Sequence, residues 1–432
     1  MGTAQPSGED DPRVEVGRSA LESASSGGPA GTAHSHSRRH KIVQQRGSGN
    51  HLPTANGRSV PTLTDETSEP SSAELQALRR SCVRFLHSHG DRSVAAYLAE
   101  IPADAETDFY GMGGVVQELE DEVAQILGKA AVAFFPSGVM AQQIALRIHA
   151  DRRGRRTVFF HPLCHMEQKE LRAYEMLHAL VGRPVGEPHR LITVGDLRGE
   201  RWTGEPIAEV PAALLLELPQ RDIGGQLPPW EELVDQVDWA RGHGAAVHMD
   251  GARVWGCESF YGRALAEICE RFDTVYVSFY KQLGGLAGAA LAGPEDVVAE
   301  AKEWRRRHGG MLYGLWPNAA SGLASLRTRL PRMAVYQEQA LALAEAVRDL
   351  AAVEVLPDPP HTPMMHLLLR RDPGAVRTAA LELAREERLW TFTRPASTEV
   401  PRVCRVELEV GDATLQWTPA EFRRILQRLL TD

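Results

Sequence analysis

Asp250-Gly251-Ala252-Arg253 closes one apolar run, and Lys281 stands at the end of the next, within Ser278-Phe279-Tyr280-Lys281-Gln282-Leu283-Gly284-Gly285. An acid and an amine on one rim are the two groups that pyridoxal phosphate requires. The carboxylate keeps the ring nitrogen protonated, and the lysine joins the cofactor as an imine. Asp-Gly alone is a turn signal, but with Arg253 and Lys281 in sequence it reads as a cofactor site. Small and apolar residues dominate 283–288, so desolvation is expected to lower the Lys281 amine pKa and keep it nucleophilic.

A phosphate needs fixed donors. Ser137-Gly138-Val139-Met140 follows an apolar run and leads into a helical pattern, where backbone amides and the helix dipole suit a dianion. His165 follows the run at 157–160 and a Pro-Leu-Cys turn, which puts it on the same rim. An imidazole there can stack on a planar ring and exchange protons near neutral pH. Arg253 offers a guanidinium, which binds a carboxylate through two parallel hydrogen bonds.

The elements that must position these groups show in the hydrophobic periodicity. Val115, Leu119, Val123 and Leu127 recur at helical spacing, with Gly128 as C-terminal cap. Strands are expected at 131–135, 157–160, 213–216, 245–249 and 274–278, with helices at 140–150, 166–180 and 230–241 between them. This alternation predicts an α/β fold with a mostly parallel central sheet flanked by helices, and ligands at the carboxyl ends of its strands. Asp250 and Lys281 both fall there. A helical stretch at 318–351 leads to a smaller C-terminal α+β unit, with strands at 364–369 and 403–410 and helices at 375–387 and from 419. The expected division is a disordered extension at 1–72, rich in Gly, Ser, His and Pro, a large cofactor domain at 73–317, and a linker helix with the small domain at 318–432.

Bulk properties narrow the function classes. A net charge of -9 over 432 residues supplies no field for a nucleic acid backbone. Cys82, Cys164, Cys257, Cys269 and Cys404 are scattered and odd in number, without paired metal spacing, which favours a reducing cytoplasm over a disulfide framework and implies no metal. No stretch approaches bilayer length, and the first residues lack the pattern of a secretory signal, so no membrane partner is expected.

At these residues the chain resembles the threonine aldolase and aromatic amino acid β-eliminating lyase family, fold type I enzymes that use pyridoxal phosphate. The likeness runs from Asp108-Phe109-Tyr110-Gly111 to about Gly310, with a looser echo near Arg405. It implies that Lys281 bonds the cofactor, that Asp250 pairs with its ring nitrogen, and that Ser137, Gly138 and Val139 cradle the phosphate. It further implies that His165 stacks on the ring with Glu170 in support, that Arg253 and Arg405 bind the substrate, and that Tyr110 lies near the cofactor at a subunit boundary of a homodimer or homotetramer.

There are departures. Where the aldolases carry Glu-Asn-Thr-His-Asn-Arg-Ala-Gly-Gly, this chain reads Glu217-Leu218-Pro219-Gln220-Arg221-Asp222-Ile223-Gly224-Gly225. Val139 stands where threonine is usual, and the family's Gly-Gly-Met-Arg-Gln is Gly309-Gly310-Met311-Leu312-Tyr313, with Arg305, Arg306 and Arg307 nearby. The expected reaction is aldol cleavage of a β-hydroxy-α-amino acid, threonine-like, to glycine and an aldehyde, with His165 taking the β-hydroxyl proton. The alternatives are β-elimination from β-substituted amino acids, and a protein that binds the cofactor with little catalysis.

Overall fold

Runs such as Ala-Val-Ala-Phe-Phe and Ala-Ala-Leu-Leu-Leu contain nothing polar, so they must be covered on both faces. In the computed structural model, which describes residues 70–200 and 210–431, they are strands of a seven-stranded sheet. The strands are β1 (Ala131–Phe135), β2 (Thr157–Phe160), β3 (Val181–Pro184), β4 (Pro211–Glu217), β5 (Ala246–Gly251), β6 (Thr274–Ser278) and β7 (Ala289–Gly293). Their order is β1-β7-β6-β5-β4-β2-β3. All pairs are parallel except the two made by β7, which runs antiparallel to β1 and β6. The expected extension at 1–72 lies, up to residue 69, outside the described residues.

Two of these strands carry weak sequence signals. β7 is Ala-Ala-Leu-Ala-Gly, without a β-branched or aromatic residue. β3 is Val-Gly-Arg-Pro at the sheet edge, where proline is tolerated because no neighbour needs its missing donor.

Two expected helices divide. The one at 166–180 becomes His165–Lys169 and Ala173–His178, parted by Leu171 and Arg172 in the left-handed region at φ 52° and 56°. The stretch at 318–351 becomes Trp316–Arg329 and Met333–Glu345, broken over Leu330–Arg332, where Pro331 has no N–H to continue the ladder.

A second, antiparallel sheet has the order β10-β11-β9-β8, from β8 (Val353–Leu356), β9 (Met364–Leu369), β10 (Ala396–Ser397) and β11 (Cys404–Glu409). Along β11, Cys404, Val406 and Leu408 are buried while Arg405, Glu407 and Glu409 point the other way. One face of the large sheet packs Val247, Met249, Val275 and Val277 against Val116, Leu119 and Val123 of the helix Gly114–Leu127, in a core that also contains Leu367, Leu408 and Phe422 of the C-terminal region. The helix Gly138–Arg153 covers the opposite face through Ala141, Ile144 and Ile148. The described residues belong to one compact unit, and no helix among them is long and apolar enough to cross a membrane.

Candidate active site

Strand register assembles the acidic part of the site. Glu217 on β4 lies opposite Asp250 on β5, and Asp250 lies opposite Tyr276 on β6. Register partners on parallel strands share a face, so the three form one row at the carboxyl edge. Asp250 Oδ1 accepts the Ala252 N–H at 3.1 Å. Glu217 accepts from the Arg221 N–H at 3.1 Å through Oε1, and from the His165 N–H at 3.1 Å and Gln220 Nε2 at 3.2 Å through Oε2. Burial, and then the Asp250 charge, nevertheless push the Glu217 carboxyl up to about 7.

Lys281 follows β6 by three residues. Burial, reinforced by the Arg253 charge, lowers its amine pKa, while Asp250, Glu217 and Glu409 pull the other way. Arg253 is itself engaged from β11. Its Nε lies 3.3 Å from Glu409 Oε1 and its Nη2 3.7 Å from Glu407 Oε1. Glu407 also meets Arg221 Nη2 at 2.8 Å and His366 Nε2 at 3.5 Å. Burial raises the Glu407 carboxyl, but the His366 bond and the two guanidiniums outweigh it and hold it at about 2. Arg405, on the same face of β11, donates to the Asp222 carbonyl at 3.0 Å.

A cleft of about 330 Å³ opens at the same edge, lined by Ser137, Gly138, Val139, His165, Glu170 and Tyr280 among others. Ser137 is the N-cap of the helix Gly138–Arg153, yet its side chain makes no cap bond, so its hydroxyl stays available beside the helix amides. Gly138 is required by proximity, since a Cβ there would sit 2.2 Å from the Tyr276 hydroxyl. His165 Nδ1 is 3.0 Å from Glu170 Oε1, and the fully buried Glu170 side chain also accepts from Gln143 at 2.9 Å. With Nδ1–H donated to the carboxylate, a neutral His165 keeps its Nε2 lone pair free to accept a proton. Uncommitted donors for a phosphate, a carboxylate for a ring nitrogen and an amine of lowered pKa are a set that fits pyridoxal phosphate.

Comparison with known proteins agrees with this donor set. The sequence model of the β-eliminating lyase family matches residues 89–370. The chain belongs to the β-eliminating lyase family. A solved structure from Listeria monocytogenes, provisionally named an L-allo-threonine aldolase, is 38% identical with a TM-score of 0.76, over 82% of this chain and 98% of that one. The low specificity L-threonine aldolase of Escherichia coli K12 is 27% identical over 59% of this chain and 75% of its own. A Schizosaccharomyces pombe protein provisionally named a low-specificity L-threonine aldolase is 27% identical over 54% of this chain, which spans only 62% of that relative's length.

In this member of the family, most of the residues singled out from sequence converge on the one edge. Two sit differently. Tyr110 does not line the cleft; it packs edge-on against Phe109 at 4.8 Å and Tyr313 at 5.4 Å. Arg305 is buried and donates to the Phe134 carbonyl, so it does not replace the arginine missing after Gly309-Gly310. The residues that sequence reasoning did not single out are Glu407 and Glu409, which face Arg253 from more than 150 positions downstream, and Tyr276, whose place depends on register. For Glu217 the signal was an acid ending an apolar run, the same signal that marked Asp250.

Proposed function

We propose that this member of the β-eliminating lyase family cleaves β-hydroxy-α-amino acids to glycine and an aldehyde, with pyridoxal phosphate held by Lys281, Asp250 and the turn Ser137-Gly138-Val139. When bound, the cofactor supplies an electron-accepting ring for the pair released from the Cα–Cβ bond. The observation that carries the reading is the pairing of His165 with the buried Glu170 in the cleft that also contains the Ser137 turn.

Burial and the Arg253 charge lower the Lys281 amine pKa, which favours its nucleophilic form. Asp250 offers a buried carboxylate that favours a protonated ring nitrogen. His165, oriented through Nδ1 by Glu170, accepts the β-hydroxyl proton at Nε2. Arg253 and Arg405 hold the substrate carboxylate. Arg405 is the freer of the two, since its hydrogen bond goes to a carbonyl and leaves its charge unopposed by a carboxylate. Residues 73–317 carry the cofactor part and 318–432 the cap that brings Arg405.

The chain is further proposed to act as a homodimer or homotetramer in a reducing cytoplasm. The exposed Phe109 (56%), Met112 (61%) and Tyr313 (70%) support a subunit boundary there. The five free, buried thiols support the compartment. Light scattering that finds an active monomer refutes the oligomer.

The deciding experiment is an absorbance spectrum of wild type and Lys281→Ala protein with pyridoxal phosphate, before and after L-threonine or β-phenylserine. A lysine-dependent band with release of glycine and an aldehyde supports the reading. Release of a 2-oxo acid and ammonia instead identifies β-elimination, with Lys281 as the base for the Cα proton. A band without turnover on β-hydroxy or β-substituted amino acids leaves a binding protein, and no band at all refutes the cofactor.

A further inference from the structure

We propose that His89, Arg92 and Arg329 form a positioning clamp on the loop that carries Lys281, held in place by Asp412 and Glu100. The inference rests on the role proposed above for Lys281 and extends it to residues outside the lining of the cleft.

Three successive carbonyls after Lys281 each accept a hydrogen bond from one of these side chains. His89 Nε2 meets the Gln282 carbonyl at 2.8 Å, Arg329 Nη1 donates to Leu283 at 3.2 Å, and Arg92 Nη1 donates to Gly284 at 2.6 Å. A carbonyl only accepts, so His89 carries a proton on Nε2. Its Nδ1 faces the Asp412 backbone N–H at 3.2 Å and the Asp412 carboxylate Oδ2 at 3.3 Å. The ring is bonded at both nitrogens. Two glycines make room for it: a Cβ at Gly284 would lie 2.5 Å from His89 Cδ2, and one at Gly411 2.9 Å from its Cε1.

The donors are in turn fixed by carboxylates. Asp412 accepts from Arg329 Nε at 2.8 Å and from the Tyr336 hydroxyl at 2.6 Å, and pairs with Arg332. Glu100 accepts from Arg329 Nη2 at 3.0 Å and pairs with Arg92. These contacts join the segment before residue 101, the helix Trp316–Arg329 and the turn after β11 to one short loop.

The loop needs external support because its own means are few. Its internal bonds run from the Gly284 N–H to the Lys281 carbonyl at 3.0 Å and from the Gly285 N–H to the Phe279 carbonyl at 2.8 Å. Gly284 and Gly285 have no side chains to pack and lose the most backbone freedom on ordering. Charge-assisted bonds to the carbonyls fix the direction in which the Lys281 side chain leaves the loop. That direction matters, since a misplacement of about 1 Å at a reacting group can cost about 10²-fold in rate.

The test compares wild type with Arg92→Gln, Arg329→Gln and the milder Arg92→Lys. Arg327→Gln, which loses only exposed pairs to Glu118 and Glu122, is the control. Amide hydrogen exchange at 282–285 is read in the full chain with and without pyridoxal phosphate, beside kcat and KM for β-phenylserine. Both glutamine variants should exchange about tenfold faster at 282–285, with kcat down about tenfold and KM within about twofold, while the control stays at wild type. Unchanged exchange at 282–285 in a folded Arg92→Gln or Arg329→Gln protein overturns the clamp. If neither folds, Arg92→Lys decides, because an ammonium lacks the planar fork whose Nη1 meets Gly284 and Nη2 meets Glu100; exchange should rise about threefold, and no rise overturns the proposal. A wild type that fails to take pyridoxal phosphate or to turn over refutes the proposed function, and exchange without the cofactor still decides the clamp.

Discussion

Replacing Glu217 by Gln should raise the stability of the cofactor-free protein relative to wild type by about 2–3 kcal/mol as the pH goes from 5 to 8. In the fold this carboxyl keeps its proton to about pH 7, because it is buried and faces Asp250. In the unfolded chain it releases the proton near its ordinary value of 4.5. Between those values the folded state binds more protons than the unfolded one, so stability falls as pH rises, and above about 7 the loss is constant. A rise from 4.5 to about 7, at about 1.4 kcal/mol per pH unit, corresponds to a loss of about 3 kcal/mol. Glutamine has no charge to form and escapes the loss at high pH, while its NH2 group, set against N–H donors that the carboxyl accepts, costs the same at both pH values, so the change in the gap between pH 5 and pH 8 carries the test. Urea midpoints read by tryptophan fluorescence at pH 5 and pH 8 measure the difference. A stability gap between the two proteins that is the same at both pH values refutes the reasoning. Asp250→Asn supplies the second arm: it removes the neighbouring charge and should shrink the gap at pH 8, and a gap left intact would mean that burial alone raises Glu217.

Three further outcomes follow from the geometry. His165→Gln should lower kcat for β-phenylserine by about 10²-fold or more with little change in KM, and Glu170→Gln by about tenfold, since a positioned base is lost in one case and only its orienting partner in the other. Gly138→Ala should cost about 1–3 kcal/mol in a thermal melt and weaken cofactor binding, because the new methyl meets the Tyr276 hydroxyl, and adding Tyr276→Phe should recover part of both. Glu409→Gln removes one of the two carboxylates on Arg253 and should lower KM for the amino acid by about threefold, measured in steady state; an unchanged KM would mean that Arg253 takes no part in binding it.

The parts of this molecule legible in its sequence are those that local pattern determines. A buried run such as Ala131–Phe135 reads as a strand because nothing polar interrupts it, and Asp250 and Lys281 read as a site because each follows closely on a buried run. The charge state of the site is not local in this way. Glu217 looks from sequence like any acid after an apolar strand, and its raised pKa comes from a register that sets it against Asp250. Arg253 looks like an unopposed clamp for a carboxylate until β11 brings Glu407 and Glu409 against it. His165 and Glu170 show the limit most clearly. The expected helix over 166–180 begins after His165, and residues five apart on a regular helix are turned by about 140° from each other, so periodicity does not pair the two. They meet at 3.0 Å across the short helix His165–Lys169, with Glu170 as its C-cap at φ -101° and ψ 14°. That contact, which periodicity does not announce, gives the histidine its acid, and with it the tautomer that leaves Nε2 free to take a proton.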